Sequence, residues 1–467
     1  MAGKCRGQTV AVKVPVRQNL TPKQLDEFRH EVAIMKRIFH PNVVLFLGAC
    51  TQPGKFMLVT EYAGGGDLES ILQAHATELS VSRKLHFAKD TALALNWLHG
   101  INGILHRDLK PANLLTDENG RVKVTDFGFS QLKEGESEMT DQKGPKGSAL
   151  WMAPEVMMKK PFTEKIDVYA FGLILWEIWT REVLFSKYDD FKPFIRAVTI
   201  DHERPPVPPS AKPLLAALMQ ECWHRDPEQR PAFKDIVWRL DEIMLEYAIE
   251  DDVARAFWRE HFFAPEQTLV ERVKWRDFVK ALGKSTGHSL VDIVALGSLF
   301  AHDAPAVASN DRIVSIEHFN DCSTWFGPFM CPQRGTALLK WMKQLNSEPW
   351  FHGDIEREQA ERRLLHRPDG TFLVRLSKGK SEHPFTISVQ RPTRDNVGCA
   401  PQHKRIRHVH GTDEWYAPVG GKTLQYSSLE AIIADPECAL TTACPVDEVS
   451  NPYINTYLED TLDDVAQ

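Results

Sequence analysis

Three short segments near the start of the chain carry side chains that can bind phosphate groups and a divalent cation. The segment "VAVK" ends in Lys13, "HRDLKPAN" spans His106–Asn113, and "DFG" spans Asp126–Gly128. An ammonium group attracts phosphate oxygens, whereas carboxylate and amide oxygens are ligands that Mg²⁺ accepts. Phosphoryl transfer needs positioning and charge neutralisation more than covalent chemistry. Side chains of these types therefore point to phosphoryl transfer.

The order of these segments is more specific than any one of them. "APE" at Ala153–Glu155 follows "DFG", and the ordered set resembles a protein kinase domain, although each segment alone is a weak match. The stretches "HPNVVLFLGAC" and "GSALWMAPEV" are most similar to the tyrosine-kinase-like group, whose members mostly phosphorylate serine and threonine. The resemblance implies an ATP-dependent protein kinase that uses Mg²⁺ and acts on protein hydroxyl groups.

The resemblance also implies roles for individual side chains. The catalytic residues that it implies are Lys13, Glu31, Asp108, Lys110, Asn113 and Asp126. Lys13 would hold the α- and β-phosphates, Glu31 would pair with Lys13, and Asp108 would accept the proton of the substrate hydroxyl. Asp126 and Asn113 would be the Mg²⁺ ligands.

The same resemblance implies a set of nucleotide contacts. These residues are Ala11, Lys13, Thr60, Glu61, Ala63, Leu115 and Asp126. Ala11 and Leu115 would sandwich the adenine ring, Thr60 would be the gatekeeper, and the backbone of Glu61 and Ala63 would meet the adenine edge.

The target hydroxyl is expected to belong to serine or threonine. Lys110 in "DLKPAN" resembles Ser/Thr kinases, and Ser148 stands where such kinases keep a hydroxyl that contacts the catalytic aspartate. Tyrosine is absent between Asp126 and Glu155. Dual specificity remains an alternative. Thr140 and Ser148 are the candidate phosphorylation sites of the activation segment.

One element of the family pattern is missing from the sequence. A kinase covers the ATP phosphates with a loop G-x-G-x-x-G ahead of the "VAVK" strand. Only twelve residues precede Lys13, and Gly3 and Gly7 lie too far along to belong to that loop. We expect a chain that begins too late, such as a fragment. The alternative is genuine loss of the loop, which would leave a weakly catalytic or inactive adaptor.

A second candidate site begins with an arginine inside a predicted strand. "GTFLVRLS" places Arg375 within an apolar run. Burying a guanidinium costs several kcal/mol unless an anion pairs with it. That anion could be an internal carboxylate or a ligand, and the neighbouring "LSKGK", which has cations and no acid, favours the ligand.

Residues 348–445 resemble a Src-homology-2 (SH2) domain over their whole length. The pattern runs from "PWFHGDI" to "FLVRLS". It implies a central sheet between two helices, and it makes Arg375 the arginine whose planar fork binds two phosphate oxygens of phosphotyrosine. The other pocket residues implied are Arg357, Ser377, His403 and Arg405. A kinase domain followed by this module resembles the amoebal kinases with a C-terminal SH2 domain.

The elements that must position these residues follow from periodicity. Apolar residues at helical spacing predict a helix that carries Glu31, with Thr21 as its cap and Gln24 completing a capping box. Another helix is predicted over residues 82–99, ending at Gly100. Few strands followed by mostly helices predict a small sheet lobe joined to a larger helical lobe.

The overall prediction is a multidomain α+β chain with a bilobal kinase fold. Its segments are a kinase domain (1–248), a helical linker (249–347), an SH2 domain (348–445) and an acidic flexible tail (446–467). The kinase resemblance also implies that Glu155 pairs with Arg230 and that Asp167 braces the catalytic loop.

Composition narrows the remaining classes. The net charge of −7 predicts no general attraction to nucleic acid, and no apolar run approaches the ~20 residues of a membrane span. The eight cysteines include no C-x-x-C pair and are expected to be reduced thiols. We therefore expect a cytoplasmic protein without a transmembrane segment. The SH2 resemblance implies recruitment to phosphotyrosine proteins, including membrane-associated ones.

Two further sequence patterns contain residue types that can bind metal ions. Cys399, His403, His408 and His410 lie close in sequence, but the interleaved basic residues would repel a cation and the spacing fits no standard pattern. The stretch 301–319 has some likeness to an EF-hand loop, but its acid spacing is wrong. Neither pattern predicts a bound metal.

Overall fold

The computed structural model describes residues 2–15, 17–127, 131–132, 149–263, 268–287, 302–303, 312–326, 335–353, 355–377, 383–393, 399–409 and 414–445. The chain divides into two compact units, Met1–Met244 and Leu245–Gln467. Among the described residues, none of the helices combines the length and apolar character that crossing a bilayer requires. The candidate phosphorylation sites Thr140 and Ser148 and the predicted tail 446–467 lie outside the described residues.

The first unit opens with a small antiparallel sheet. Its strands, in the spatial order β1–β2–β4–β3, are β1 (Ala2–Cys5), β2 (Gln8–Lys13), β3 (Phe46–Cys50) and β4 (Met57–Glu61). Arg6 and Gly7 join β1 to β2 with φ values of 48° and 85°, the left-handed backbone that tight hairpins favour. Ala11 on β2 is the cross-strand partner of Thr60 on β4, which makes these two predicted nucleotide contacts neighbours.

Helix α1 (Pro22–Met35) begins with the predicted capping box. The Thr21 hydroxyl accepts from the Gln24 amide nitrogen at 3.3 Å, and the Thr21 amide donates to the Gln24 side chain at 3.0 Å. The helix buries one face, and Glu31 lies on that face beside Val32. The cap thus fixes the start of the helix that brings Glu31 to the sheet.

The rest of the first unit is mainly helical, as predicted. Its helices are α2 (Leu68–Gln73), α3 (Val81–Asn102), α4 (Pro154–Met157), α5 (Lys165–Thr180), α6 (Phe191–Thr199), α7 (Pro213–Cys222) and α8 (Phe233–Ala248). Its short strands are β5 (Gly66–Asp67), β6 (Ile104–Leu105), β7 (Leu114–Thr116), β8 (Val122–Val124) and β9 (Gln131–Leu132).

The predicted end of α3 at Gly100 is wrong. The helix continues to Asn102, and Gly103 closes it with a φ of 56°. Only the residue after the last helical turn must adopt the left-handed conformation, and Gly103 does so while Gly100 stays helical. A glycine in the sequence marks a candidate end, and the backbone conformation decides which glycine is used.

Asp167 at the start of α5 holds the loop that carries Asp108, as predicted. Its carboxylate accepts from the backbone amides of His106 at 2.8 Å and Arg107 at 2.9 Å, and it contacts His99 Nε2 at 2.8 Å. Burial alone would raise the pKa of Asp167, but the hydrogen bond and charge interaction with His99 outweigh it, so that the pKa is lowered.

A buried ion pair stabilises the same unit. Arg230 donates to both oxygens of Glu155, at 2.6 and 3.0 Å, and its side chain is inaccessible to solvent. The predicted pairing is therefore confirmed, and its bidentate geometry is the form in which a buried arginine and a carboxylate satisfy each other.

The second unit begins with helices and a small sheet. Its helices here are α9 (Asp252–Phe262), α10 (Trp275–Thr286), α11 (Ile316–Phe326) and α12 (Gly335–Ser347). Strands β10 (Arg272–Lys274), β11 (His302–Asp303) and β12 (Arg312–Ser315) form a sheet of order β10–β12–β11. The prediction of a helical linker did not include this sheet, because strands this short show no period in the sequence.

This region has an aromatic core. Trp258 packs within 5.3 Å of Phe319 and 5.0 Å of Phe262, measured between ring centroids, and Trp258 and Phe278 are fully buried. Aromatic pairs at these distances stabilise a packed interior beyond their burial alone. Among the described residues, no group of three or more metal-ligating side chains occurs, and residues 304–311 of the weak EF-hand likeness lie outside them.

A mixed sheet with the expected flanking helices follows. The strands, in the order β17–β16–β15–β14–β13–β18, are β13 (Thr371–Leu376), β14 (Phe385–Pro392), β15 (Cys399–His408), β16 (Trp415–Val419), β17 (Lys422–Tyr426) and β18 (Thr442–Ala443). Helix α13 (Arg357–Leu364) precedes the sheet, and α14 (Leu429–Ala434) follows β17. All six residues of β13 are buried, including Arg375. The cysteines of the described chain are free thiols.

The core of this sheet extends to a residue before the predicted domain boundary at 348. Trp341 of α12 lies 6.4 Å from the Phe385 ring and 6.5 Å from the Trp415 ring, and those two rings stack at 5.9 Å. Helix α12 therefore packs on the sheet as part of the same core.

Replacing Asp167 with Asn should destabilise the first unit by about 2 kcal/mol at neutral pH, because an amide offers one acceptor oxygen where two backbone N–H groups need acceptors. The folded pKa is lowered from 3.8, so the carboxylate stabilises the fold above that value and loses this effect as the pH falls through the lower folded value. Urea unfolding of the full chain at neutral pH and at about pH 3 checks this. The variant should approach wild type at the lower pH, and Asp26→Asn, at an exposed site, should match wild type throughout.

Replacing Trp341 with Ala should destabilise the second unit by about 2–3 kcal/mol, because it removes a large ring from the Phe385–Trp415 stack. Hydrogen exchange of the β14 and β16 amides in the full chain measures the effect. Trp238→Ala, which removes a half-exposed ring from α8, is the control. Unchanged hydrogen exchange in the Trp341→Ala variant would mean that the core of the sheet begins at residue 348 and does not include α12.

Candidate active site and phosphate-binding pocket

Lys13 forms the centre of the first site. Its Nζ lies 2.9 Å from Glu31 Oε1 and 2.9 Å from Asp126 Oδ1. Burial lowers the pKa of Lys13, but the charges of the two carboxylates outweigh it and the pKa is raised. Strand β2, helix α1 and the segment after β8 thus meet at one ammonium group, and the predicted pairing of Lys13 with Glu31 is present.

Asp108 lies in a buried loop with two neighbours that the sequence assigned to catalysis. Its Oδ2 accepts from Lys110 Nζ at 3.0 Å and from Asn113 Nδ2 at 3.1 Å. Asn113 Nδ2 also donates to the Asp108 carbonyl at 2.7 Å. These bonds fix the orientation of the carboxylate, as a group that must accept a proton from a substrate requires.

The segment that carries Asp126 is tied to the same loop. His106 Nε2 contacts the Thr125 carbonyl at 2.9 Å, and the His106 ring lies 5.3 Å from the buried Phe127 ring. Asp126 and Arg107 both have left-handed backbone, with φ values of 66° and 68°. Such conformations are uncommon for side-chain-bearing residues and cluster at functional sites.

The predicted Mg²⁺ ligands carry suitable oxygen donors. Asn113 uses its amide nitrogen for both contacts with Asp108, so its amide oxygen can act as an acceptor. The Asp126 side chain is about one-third exposed, at 37%, and its charge is balanced by Lys13. A carboxylate and an amide oxygen are ligand types that a hard cation accepts.

The predicted nucleotide contacts lie on strands of the first unit or within two residues of a strand end. Thr60 is buried, and its hydroxyl donates to the Glu61 carbonyl at 3.1 Å. The Glu61 side chain accepts from Lys123 Nζ at 2.9 Å and from the Leu45 amide at 2.8 Å. Sequence reasoning missed Lys123, whose only signal is a charge between two buried valines of β8. Contact of Ala11, Ala63 and Leu115 with adenine remains a prediction.

The second site is built across three strands. Arg375 on β13 pairs with Thr386 on β14, which pairs with Arg405 on β15. Two residues further along β14, Ser388 pairs with His403 of β15. Because side chains two residues apart share a face of a strand, these groups lie on one face of the sheet.

Arg375 is held from inside by backbone carbonyls. Arg375 is buried, with 8% of its surface exposed. Its Nη1 donates to the carbonyls of Leu376 at 3.3 Å and Ile355 at 3.5 Å. These distances are long for hydrogen bonds. The Ser377 and Thr386 hydroxyls lie 2.7 Å apart on the same face. The neighbouring Lys378 and Lys380 lie outside the described residues.

Glu361 is a member of this pocket that sequence reasoning missed. Its Oε1 accepts from Arg357 Nε at 2.8 Å and from His403 Nε2 at 3.1 Å. The hydrogen bonds from Arg357 and His403 lower the pKa of Glu361, and burial is the main cause that lowers the pKa of His403. The spacing of Arg357 and Glu361, four residues apart on a helix, was the signal that could have revealed it.

Comparison with known proteins agrees with this geometry. The family model for protein tyrosine and serine/threonine kinases matches residues 2–240, and the SH2 domain model matches residues 350–435. The dual specificity protein kinase shkD of Dictyostelium discoideum is 46% identical over 97% of this chain and 60% of its own length. The corresponding figures are 41%, 96% and 64% for shkE, and 39%, 88% and 79% for shkA, both from the same organism.

The chain therefore spans about 60% of the length of the first of these relatives. The matches cover both sites described above, with the kinase model over Lys13, Asp108 and Asp126 and the SH2 model over Arg375 and His403. The chain belongs to the protein tyrosine and serine/threonine kinase family and carries an SH2 domain on the C-terminal side of its kinase domain.

Proposed function

We propose that the chain is an ATP-dependent protein kinase that phosphorylates serine and threonine and is targeted by its SH2 domain to phosphotyrosine-containing proteins. The observation that carries this proposal is the paired arrangement of the first site. Lys13 contacts both Glu31 and Asp126, and Asp108 is oriented by Lys110 and Asn113. These contacts support a site in which one group of side chains binds phosphate and another accepts a proton.

Each side chain has a defined task in this proposal. Asp108 accepts the proton of the attacking hydroxyl, and Lys110 screens the negative charge that develops beside it. Lys13 binds the α- and β-phosphates of ATP in the position in which Glu31 holds it. Asp126 and Asn113 would hold Mg²⁺, which neutralises phosphate charge when it is bound. Adenine would lie between Ala11 and Leu115.

Dual specificity is the second candidate for the hydroxyl. The Dictyostelium relatives are named dual specificity protein kinases, whereas Lys110 resembles the Ser/Thr pattern. We therefore propose serine and threonine as the main acceptors and tyrosine as an additional one. A non-catalytic adaptor is the less favoured proposal, because these relatives are named as kinases and the side chains of the catalytic loop are intact.

The SH2 domain supplies the targeting step of the proposal. Arg375 would bind two oxygens of a phosphotyrosine phosphate through its planar fork, and Arg405 lies on the same face of the sheet. Arg357, Ser377 and His403 would complete the pocket. Recruitment through this pocket would bring the kinase domain to phosphotyrosine proteins, including those at membranes.

Replacing Asp108 with Asn should lower the rate of phosphate transfer from labelled ATP to a protein substrate by at least about 10²-fold, because the amide cannot accept the hydroxyl proton. Phosphoamino-acid analysis of the product separates serine and threonine from tyrosine. The control is Asp26→Asn, which makes the same chemical change at an exposed site and should retain wild-type activity. Equal activity of the two variants would exclude Asp108 as the base.

Replacing Arg375 with Ala should weaken binding of a phosphotyrosine peptide by at least about 2 kcal/mol, because it removes a charge-assisted bidentate contact. Isothermal titration of the full chain measures the effect. Arg375→Lys keeps the charge and loses the fork, so it should fall between Ala and wild type. Arg367→Ala, at an exposed position, is the control. Unaltered affinity in the Arg375→Ala variant would exclude the pocket.

A further inference from the structure

The phosphotyrosine pocket contains an acid among its cations. One oxygen of Glu361 accepts hydrogen bonds from both Arg357 and His403, two of the side chains assigned to the phosphate. We propose that Glu361 is an internal competitor of the phosphate, which occupies these two groups in the free protein and keeps the affinity for phosphotyrosine below what the cations alone would give. This inference rests on the phosphotyrosine-binding function proposed above.

The hydrogen bonds define the charge of each partner. The His403 Nε2 atom faces the Glu361 carboxylate and must be the donor, while Nδ1 lies 2.9 Å from the Ser388 hydroxyl. Burial lowers the pKa of His403, which favours the neutral ring with its proton on Nε2, and Nδ1 then accepts from Ser388. Glu361 is ionised, since its pKa is lowered by the same contacts. Glu361 therefore brings a full negative charge that His403 does not offset.

The acid lies close to the groups that would bind phosphate. His403 is two residues from Arg405 on the same face of β15, and its partner Ser388 is two residues from Thr386, the partner of Arg375. The guanidinium groups of Arg357 and Arg375 both act electrostatically on His403. A phosphate bound by these arginines would therefore share the pocket with the Glu361 carboxylate.

The alternative role for Glu361 is to position Arg357 for the phosphate. The Arg357 and Glu361 side chains are 65% and 38% exposed, and ion pairs at such exposure contribute little because water screens both partners. A phosphate monoester carries a charge of about −1.5 to −2 at neutral pH, so its repulsion from a nearby carboxylate is roughly twice that of a monoanion. Water screens both interactions of Glu361 alike, and the phosphate carries a larger charge than Arg357, so repulsion outweighs positioning and Glu361 reduces affinity.

Replacing Glu361 with Gln tests this competition. The amide oxygen can still accept from Arg357 and His403, while the negative charge is lost. The probes are phenyl phosphate, which has no flanking residues, and a phosphotyrosine peptide pool with randomised flanks, each titrated against the full chain. We expect the variant to bind both probes about 3- to 10-fold more tightly at low salt, with the gain shrinking as added salt screens the charge.

Glu358→Gln is the matched control, because Glu358 is exposed on the same helix and the change removes the same charge. It should bind like wild type. Affinity of Glu361→Gln equal to or below wild type would overturn the competition, and so would an equal gain in the Glu358 variant. Failure of the proposed phosphotyrosine binding would give a different result. Arg375→Ala would then bind phenyl phosphate as tightly as the wild type does, both with Glu and with Gln at position 361.

Discussion

The buried carboxylate of Asp167 is the contact on which the geometry of the first site depends. It fixes the backbone of His106 and Arg107, the two residues that directly precede Asp108. The His106 ring then contacts the Thr125 carbonyl, and the next residue, Asp126, meets Lys13. A continuous series of contacts therefore runs from Asp167 of helix α5 to the Lys13 ammonium group that would bind ATP. A change at Asp167 would alter the geometry of that site.

The two sites solve the same physical problem in similar ways. In the proposed function each site presents cations to a phosphate, and in each some of those cations pair with internal acids. Lys13 forms ion pairs with Glu31 and Asp126, and Arg357 forms an ion pair with Glu361. An internal carboxylate reduces the cost of holding a cation in place, but it also opposes a second anion. In the proposed function the acids of the kinase site have further tasks, whereas the effect that we infer for Glu361 in the SH2 pocket is to oppose the phosphate.

The interpretation of Arg375 from sequence was right about burial and incomplete about its surroundings. The apolar run predicted a buried strand, and all six residues of β13 are buried. The sequence "LSKGK" suggested a pocket of cations alone, because it showed only the neighbours along the chain. Glu361 arrives from α13, fourteen residues before Arg375, and meets His403 of β15. Tertiary folding brings these elements together, and local sequence carries no distance between them.

By itself, the sequence determined the capping box of α1, which depends on local backbone chemistry, and the identity and order of the kinase and SH2 segments, which depend on motifs. The Glu155–Arg230 pair and the bracing role of Asp167 are long-range contacts, and they were expected only because the chain resembles a known family. Only the tertiary structure decided where α3 ends, that a small sheet lies within the predicted linker, and that Trp341 belongs to the SH2 core. It alone placed Glu361 against His403. Short strands and long-range side-chain contacts leave no period in a sequence, since their stability comes from packing between distant segments.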